Sequence, residues 1–221
     1  MTTDQRPWLA QYPKGVPANV DAEKYTTLTD LVQDALTKYG DKPAFSCMGK
    51  TLSFREVDQL STAFAAYLHY RGINPGDKLA LMMPNLLQYP IALFGALKAG
   101  VVIVNTNPLY TPREMKHQFV DSEATAIVIA ENFAGNLQKI IDDTQIKTVI
   151  ITSLGEMLGF AKKLIVNFVV RKVKKMVPKF DLPGSVNFNT ALSEGKGKKI
   201  RAFTGKREDV IALQYTGGTT G

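Results

Sequence analysis

Residues 215–221 are the segment whose residue types could do chemistry, because three glycines and three threonines follow directly after an apolar stretch. Glycines let successive backbone N–H groups turn toward one point and let phosphate oxygens approach without a Cβ clash, while threonine hydroxyls add donors or bind a metal ion. The candidate phosphate-binding residues are Thr216, Gly217, Gly218, Thr219, Thr220 and Gly221. A flexible linker is the alternative, but linkers are usually Gly/Ser-rich and do not follow a buried strand.

Two common nucleotide-binding patterns do not match this loop. Three residues, not four, separate Gly217 from Gly221, and no Gly-Lys-Ser/Thr follows, so the loop is not a Walker A motif. The dinucleotide pattern Gly-x-Gly-x-x-Gly is also absent. The glycines alone therefore indicate only a general anion-binding loop.

An alternation of strands and helices must position this loop. We expect strands at 78–83, 101–105, 125–130, 147–152 and 209–215, and helices at 87–99, from Pro112 onward and at 133–141. Residues 101–104 and 126–129 are continuously apolar, which is typical of strands buried on both faces of a parallel sheet. The sequence therefore predicts an α/β fold with a largely parallel, doubly wound sheet flanked by helices.

Local signals divide the part of the chain before that sheet. Residues 1–25 carry four proline or glycine breakers and are expected to form an extended arm, which leaves 26–221 for the main domain. Capping boxes begin helices after Thr27 and Ser53, and Thr111 with Glu114 begins a later one. Between the first two helices, strands at 45–48 and 51–54 flank Gly49-Lys50, which we expect to be a type II′ turn.

Composition excludes several classes of protein. A chain that is 45% hydrophobic and 21% charged is not intrinsically disordered. Cys47 is the single cysteine and the N-terminus lacks the apolar core of a signal peptide, so we expect a cytoplasmic protein. Residues 79–97 are uncharged over almost the length of a membrane span, but Pro84 and Pro90 interrupt any helix there.

The net charge of +7 comes from one segment. Residues 160–180 contain no acid, and the remaining basic and acidic residues are equal in number. The seven bases of the segment are Lys162, Lys163, Arg171, Lys172, Lys174, Lys175 and Lys179. An apolar stripe is expected on a helix within 166–179, formed by Val166, Val169, Val170, Val173, Met176 and Val177, with Asn167 on the opposite side.

Two interpretations of this helix stay open. It could lie on an anionic membrane surface, or it could pack its apolar stripe in the core and expose a solvated basic face. Binding of nucleic acid is disfavoured, because no aromatic residues are interleaved with the lysines of 172–179.

The remaining candidates have structural explanations. His69 and His117 have no second His or Cys near them in sequence to suggest a metal site, so both are expected to be structural. Cys47 is expected to be a small buried hydrophobe. Asn85 could reach a ligand after its strand, although capping of the next helix is the commoner role for asparagine.

Residues 213–221, Leu-Gln-Tyr-Thr-Gly-Gly-Thr-Thr-Gly, resemble the phosphate-binding loop of the adenylate-forming superfamily, which includes acyl-CoA synthetases, luciferases and peptide-synthetase adenylation domains. The stretches 80–90 and 104–114 are similar to those of bacterial long-chain fatty-acid-CoA ligases. That resemblance implies activation of a long-chain fatty acid by ATP and Mg²⁺ to an acyl-adenylate, followed by transfer to coenzyme A. It also implies that Thr219 and Thr220 contact the phosphates and that Tyr215 anchors the loop.

The sequence stops before the lysine that follows this loop in the family, so no catalytic residue and no metal ligand is assigned. We expect 26–221 to be the first part of a larger ATP- and acyl-binding domain and residues 1–221 alone to lack ligase activity. Strand edges left uncovered could let such a piece self-associate. Two alternatives remain: an adenylate-forming ligase for shorter acids, and a noncatalytic lipid-binding module at a membrane surface.

Overall fold

The structure, a computed structural model, describes residues 6–216. Its elements in chain order are a 3₁₀ helix (Pro7–Gln11), α1 (Leu28–Tyr39), β1 (Pro43–Cys47), β2 (Lys50–Ser53), α2 (Phe54–Tyr70), β3 (Lys78–Met82), α3 (Gln88–Lys98), β4 (Val102–Asn105), α4 (Pro112–Asp121), β5 (Ala126–Ala130), α5 (Glu131–Gln138), a second 3₁₀ helix (Ile141–Asp143), β6 (Thr148–Thr152), α6 (Phe160–Phe168), a π-helical turn (Val169–Val173), β7 (Val186–Asn187), α7 (Phe188–Gly195) and β8 (Ala212–Gln214). None of the helices in this described range is long and apolar enough to cross a membrane.

Strands β3 to β8 form one six-stranded sheet in which every neighbouring pair is parallel. The strand order is β7-β6-β5-β3-β4-β8, so the consecutive strands β4 and β5 lie on opposite sides of β3. Parallel neighbours require crossover connections, and helices supply most of them here. The expected α/β fold with a parallel sheet flanked by helices is confirmed.

Alternate residues of the central strands enter two separate cores. Leu79 and Leu81 pack with residues of α2, α3 and α7, whereas Ala80 and Met82 pack with residues of α4 and α5. Successive side chains of a strand point to opposite faces, so this division shows that helices cover both faces of the sheet. The continuously apolar strands of the sequence follow from that double coverage.

Capping boxes begin three of the helices. In each, the side chain of the N-cap residue accepts a hydrogen bond from the backbone of the third helical residue, whose carboxylate accepts one in return. The pairs are Thr27 with Asp30, Ser53 with Glu56, and Thr111 with Glu114. The backbone N–H of Ser53 lowers the pKa of the Glu56 carboxyl below its usual value. These three predicted helix starts are confirmed.

The turn of the β1–β2 hairpin lies one residue earlier than expected. Cys47 pairs with Lys50, so the two turn residues are Met48 and Gly49. Their φ angles are 47° and 75°, and positive φ at both central residues defines a type I′ turn. The expected type II′ turn at Gly49-Lys50 is therefore wrong.

Two details around α3 and α5 also differ from expectation. Helix α3 begins at Gln88 without a side-chain cap, so the expected capping role of Asn85 is wrong. Helix α5 begins directly after β5, at Glu131, two residues earlier than expected, and the buried Glu131 forms an ion pair with Arg171.

The arm before α1 contacts the segment that leads into β8. Arg207 forms an ion pair with Glu23 at 2.5 Å. Its Nη2 also donates to the backbone oxygens of Ala22 and Tyr25 at 3.0 and 3.3 Å.

The basic segment folds differently from its expected pattern. Helix α6 begins at Phe160 and ends where the π-helical turn begins. Val173 and Met176, expected on the apolar stripe, are 59% and 53% exposed, whereas Val170 of the same stripe is 7% exposed. Asn167, expected on the opposite side, is 8% exposed. A stripe packed wholly in the core is therefore wrong, and so is the expected place of Asn167 on the polar side.

Hydrogen bonds explain the burial of Asn167. Its Oδ1 accepts from the backbone N–H of Gly155, and its Nδ2 donates to Ser153 Oγ, both at 3.0 Å. A buried amide with both ends satisfied can occupy the inner side of a helix at little cost. This pairing turns the large apolar residues of α6 outward.

Candidate functional site

Tyr215 and Thr216, which begin the candidate loop, follow β8 at the edge where the parallel strands end. β8 pairs with β4, and Gln214 lies opposite Asn105 at the ends of both strands. Ligands of open α/β sheets bind outside the carboxyl ends of the strands. Tyr215 and Thr216 therefore lie on the side of the sheet where such ligands bind.

A chain of polar side chains connects α3, β4 and β8 at this edge. Tyr89 Oη donates to Asn105 Oδ1 at 2.8 Å, and Asn105 Nδ2 donates to Gln214 Oε1 at 3.1 Å. Gln118 Nε2 donates to the backbone oxygen of Asn105 at 2.9 Å. Burial raises the pKa of the Tyr89 hydroxyl, so it stays a neutral donor. The two ends of the Asn105 amide have different partners, which fixes its orientation.

Tyr215 attaches the start of the loop to α4. Its hydroxyl donates to Asp121 Oδ2, and its ring packs beside the core that contains Phe119. Burial and the neighbouring Asp121 carboxylate raise the pKa of Tyr215 to about 12. The hydroxyl is therefore protonated and donates to Asp121 at neutral pH, which attaches Tyr215 to α4.

The phosphate-binding candidates are only partly within the described residues. Thr216 is exposed and follows β8 and Tyr215 at the strand-end side of the sheet. Gly217, Gly218, Thr219, Thr220 and Gly221 lie outside the described residues. Threonine hydroxyls and backbone N–H groups fit phosphate oxygens, and a threonine hydroxyl also fits Mg²⁺.

We expect replacement of Asn105 by alanine to loosen β8. The change removes the partners of Tyr89 Oη and Gln214 Oε1, which should weaken the β4–β8 pair locally by about 1 kcal/mol, roughly fivefold. Hydrogen exchange of the Leu213 and Gln214 amides measures this. Gln145→Ala, a change at an exposed amide outside this cluster, should leave their exchange unaltered. Equal exchange in wild type and Asn105→Ala would contradict the prediction.

The other candidates have different surroundings. His69 is buried, donates from Nε2 to the Ala99 carbonyl at 3.1 Å and accepts at Nδ1 from the Arg201 N–H at 3.0 Å, which confirms its structural role. His117 is exposed, so it contributes nothing to the core. Cys47 is half-buried and lines a cavity of about 250 Å³ with Tyr89, so the expectation of a buried cysteine is only partly met.

A family model described as "AMP-binding enzyme" matches residues 32–221. The chain belongs to the AMP-binding enzyme family. Among curated members, a long-chain-fatty-acid–CoA ligase from Yersinia pestis is 49% identical over 98% of this chain. Ligases of the same name from Haemophilus influenzae and Bacillus subtilis are 50% and 33% identical over 97% and 98% of it. The chain spans 38–39% of the length of these relatives.

Solved structures share the fold of this AMP-binding chain. A long-chain-fatty-acid-CoA ligase from Archaeoglobus fulgidus superposes with a TM-score of 0.68 at 21% identity, over 96% of this chain and 38% of that one. An anthranilate CoA ligase in complex with anthranoyl-AMP gives a TM-score of 0.71 at 19% identity, over 89% of this chain and 33% of that one. The resemblance found in the sequence is thereby confirmed at the level of family and fold.

Tyr89, Asn105 and Gln118 were not identified from the sequence as parts of the site. They come from three elements that meet only in the folded sheet. One signal was present: Asn105 is the polar residue that ends an otherwise apolar strand.

Proposed function

We propose that this chain belongs to an enzyme that activates long-chain fatty acids with ATP and transfers them to coenzyme A. The observation that supports the proposal most strongly is the 49% identity to the Yersinia pestis ligase over 98% of the chain. In this proposal residues 1–25 form an arm and residues 26–221 form the first part of the ATP- and acyl-binding domain. The protein works in the cytoplasm.

The chemical problem in such a reaction is the poor electrophilicity of a carboxylate. ATP supplies a good leaving group, pyrophosphate, once the developing negative charge meets fixed donors and a cation. In the proposal Thr216, Gly217, Gly218, Thr219, Thr220 and Gly221 bind the phosphates of ATP. The hydroxyls of Thr219 and Thr220 donate to phosphate oxygens or bind Mg²⁺.

The anchors at the start of the loop support this role. The Tyr215–Asp121 contact and the Asn105–Gln214 hydrogen bond fix the backbone immediately before Thr216. A donor group that is fixed before the reaction needs no reorganisation as charge develops on the leaving group.

ATP–pyrophosphate exchange by the complete protein that contains this chain tests the proposal. Exchange should depend on a long-chain acid such as oleate and on Mg²⁺, and formation of oleoyl-CoA should further require coenzyme A. Exchange with benzoate or acetate but not oleate would instead support an adenylating ligase of shorter acids. Absence of exchange with every acid would support a noncatalytic lipid-binding module.

Replacing Thr219 or Thr220 by alanine should lower the rate of exchange about a hundredfold, the usual effect of removing one fixed donor from developing charge. Thr190→Ala, at an exposed position on α7, is the matched control and should keep the wild-type rate. Wild-type exchange in both Thr219→Ala and Thr220→Ala would remove these hydroxyls from the proposed site.

A further inference from the structure

Helix α6 exposes an unusual amount of apolar surface. Phe160, Leu164 and Phe168 succeed one another at four-residue spacing and are 81%, 56% and 61% exposed. Ile165 lies beside them and is 64% exposed. We call these four side chains the α6 apolar face. Residues four apart share one side of a helix, so they form a continuous stripe.

The opposite side of the same segment is fixed to the body of the protein. Asn167 is buried by its bonds to Ser153 and Gly155. In the π-helical turn, Arg171 Nη2 lies 2.6 Å from Oε2 of Glu131, whose side chain is 6% exposed. These two attachments prevent the helix from rolling its apolar side inward.

Positive charge accompanies the α6 apolar face. Lys162, Lys172, Lys174 and Lys175 are exposed, and residues 157–180 contain no carboxylate side chain. Within residues 6–216, no ion pair engages these four lysines. Lys162 Nζ donates to the backbone oxygen of Met48 at 3.5 Å, which is a neutral partner, so the charge of all four lysines is available to an external anionic surface.

We propose that the α6 apolar face and these four lysines form a docking surface for an anionic lipid bilayer. The helix lies in the plane of the interface, with Phe160, Leu164, Ile165 and Phe168 at the boundary of headgroups and acyl chains, and the lysines contact anionic headgroups. This combination of a large apolar stripe with unpaired bases is characteristic of interfacial helices.

Charge argues against a protein as the occupant of this face. The centres of protein–protein interfaces are depleted of lysine, whereas an anionic leaflet attracts clustered lysines. This inference goes beyond the proposed ligase function and does not depend on it, because docking requires neither ATP nor acyl transfer.

Co-sedimentation of the complete protein with vesicles tests the proposal. One set of vesicles contains phosphatidylcholine with phosphatidylglycerol, and the other contains phosphatidylcholine alone. We expect binding to the first set, weaker binding at high salt, and little binding to the second. Equal binding to both sets, or no binding to either, would overturn the proposal.

Two variants separate the apolar and the electrostatic contributions. Leu164→Gln/Phe168→Gln should lower partitioning at least tenfold, because both exposed side chains would leave the bilayer boundary. Lys172→Glu/Lys174→Glu/Lys175→Glu should lower it about a hundredfold, since each base contributes roughly fivefold at an anionic surface. All five positions are exposed, and circular dichroism checks that both variants fold.

Matched controls use exposed residues elsewhere. Val20→Gln/Leu109→Gln removes two apolar side chains that are 90% and 84% exposed. Lys147→Glu/Lys196→Glu/Lys199→Glu changes the net charge by the same amount as the α6 charge variant. Both controls should bind nearly as well as wild type. Equal losses in controls and test variants would overturn the proposal, because binding would then depend on bulk charge or hydropathy.

Size-exclusion chromatography with light scattering tests the competing occupant. The variants should have the same molar mass as wild type if the face contacts lipid. A wild-type dimer that dissociates in Leu164→Gln/Phe168→Gln would show that the face contacts a second copy, and would overturn the lipid proposal. ATP–pyrophosphate exchange without lipid should be unchanged in all variants, so failure of docking and failure of the ligase function are distinguishable.

Discussion

Replacing Gly195 with alanine is expected to destabilise the protein by about 3 kcal/mol. Gly195 is the last residue of α7 and is buried against α2. A Cβ at this position would overlap with the carbonyl oxygen of Ala63 and approach the backbone nitrogen of Tyr67 to 2.9 Å. Both are main-chain atoms of α2, so relief requires the two helices to separate and opens the core around Phe64 and Phe188.

Urea denaturation measures this change as a lower midpoint. Gly205→Ala is the matched control, because the nearest atoms to its Cβ are side-chain atoms of Phe203 and Thr27 at 3.3 Å and of Asp209 at 3.8 Å. These side chains can move, so the control should lose less than about 1 kcal/mol. Equal midpoints for Gly195→Ala and wild type would show that α7 can shift without loss of packing.

Replacing Glu156 with alanine should cost about 3 kcal/mol, because it leaves the buried Thr152 hydroxyl and Ser153 N–H without an acceptor, whereas the Asn189 N–H keeps Asn187 Oδ1. Glu156 is 4% exposed, and its carboxylate accepts hydrogen bonds from three groups. They are the Thr152 hydroxyl at 2.6 Å, the Ser153 N–H at 3.2 Å and the Asn189 N–H at 3.1 Å. One side chain therefore joins the end of β6, the loop before α6 and the first turn of α7.

Glu156→Gln keeps the size of the side chain but replaces one of the two accepting carboxylate oxygens by an NH₂ group. The amide oxygen can still accept from Asn189, and the Thr152 hydroxyl can rotate to accept from the new NH₂ group. The Ser153 N–H would then face a donor. The stability of Glu156→Gln should therefore lie between that of the wild type and that of Glu156→Ala. Thermal unfolding of the three proteins should give that order, and a Glu156→Ala protein as stable as wild type would contradict it.

Local sequence signals predicted the elements of this fold well. Each capping box is formed by residues three apart, and each central strand is marked by a short apolar run, so neither requires knowledge of distant residues. The parallel direction of the strands was predicted from their alternation with helices. Strand and helix positions in residues 78–152 therefore matched expectation, with end residues differing by at most three positions.

Features that depend on pairing between distant residues were predicted poorly. The hairpin turn lies one residue before its predicted position, because the register of β1 against β2 places Met48 and Gly49 between the paired residues. Met48 has a positive φ there. The buried side of α6 was missed because Asn167 hydrogen-bonds to residues in the preceding loop, which no periodicity of α6 records. Apolar spacing predicts which residues share a face, but not which face the rest of the protein covers.

In the candidate site, too, features formed by contiguous residues were predicted, and features formed by distant residues were not. The loop was identified from contiguous residues and from its resemblance to a family, whereas the Tyr89–Asn105–Gln214 chain joins three separate elements. Tyr215 was expected to anchor the loop, but its partner Asp121 lies on α4 and could not be named from the sequence. The residues that position a loop are harder to predict than the loop itself.

The position of β8 beside β4 has a consequence for synthesis on the ribosome. Asn105 and its partner Gln214 are 109 residues apart in the chain. At about 5–20 residues per second, translation takes roughly 5–20 s to cover that interval. The backbone edge of β4 is thus without its final neighbour throughout that time, and unpaired strand edges of this kind are prone to aggregation during folding.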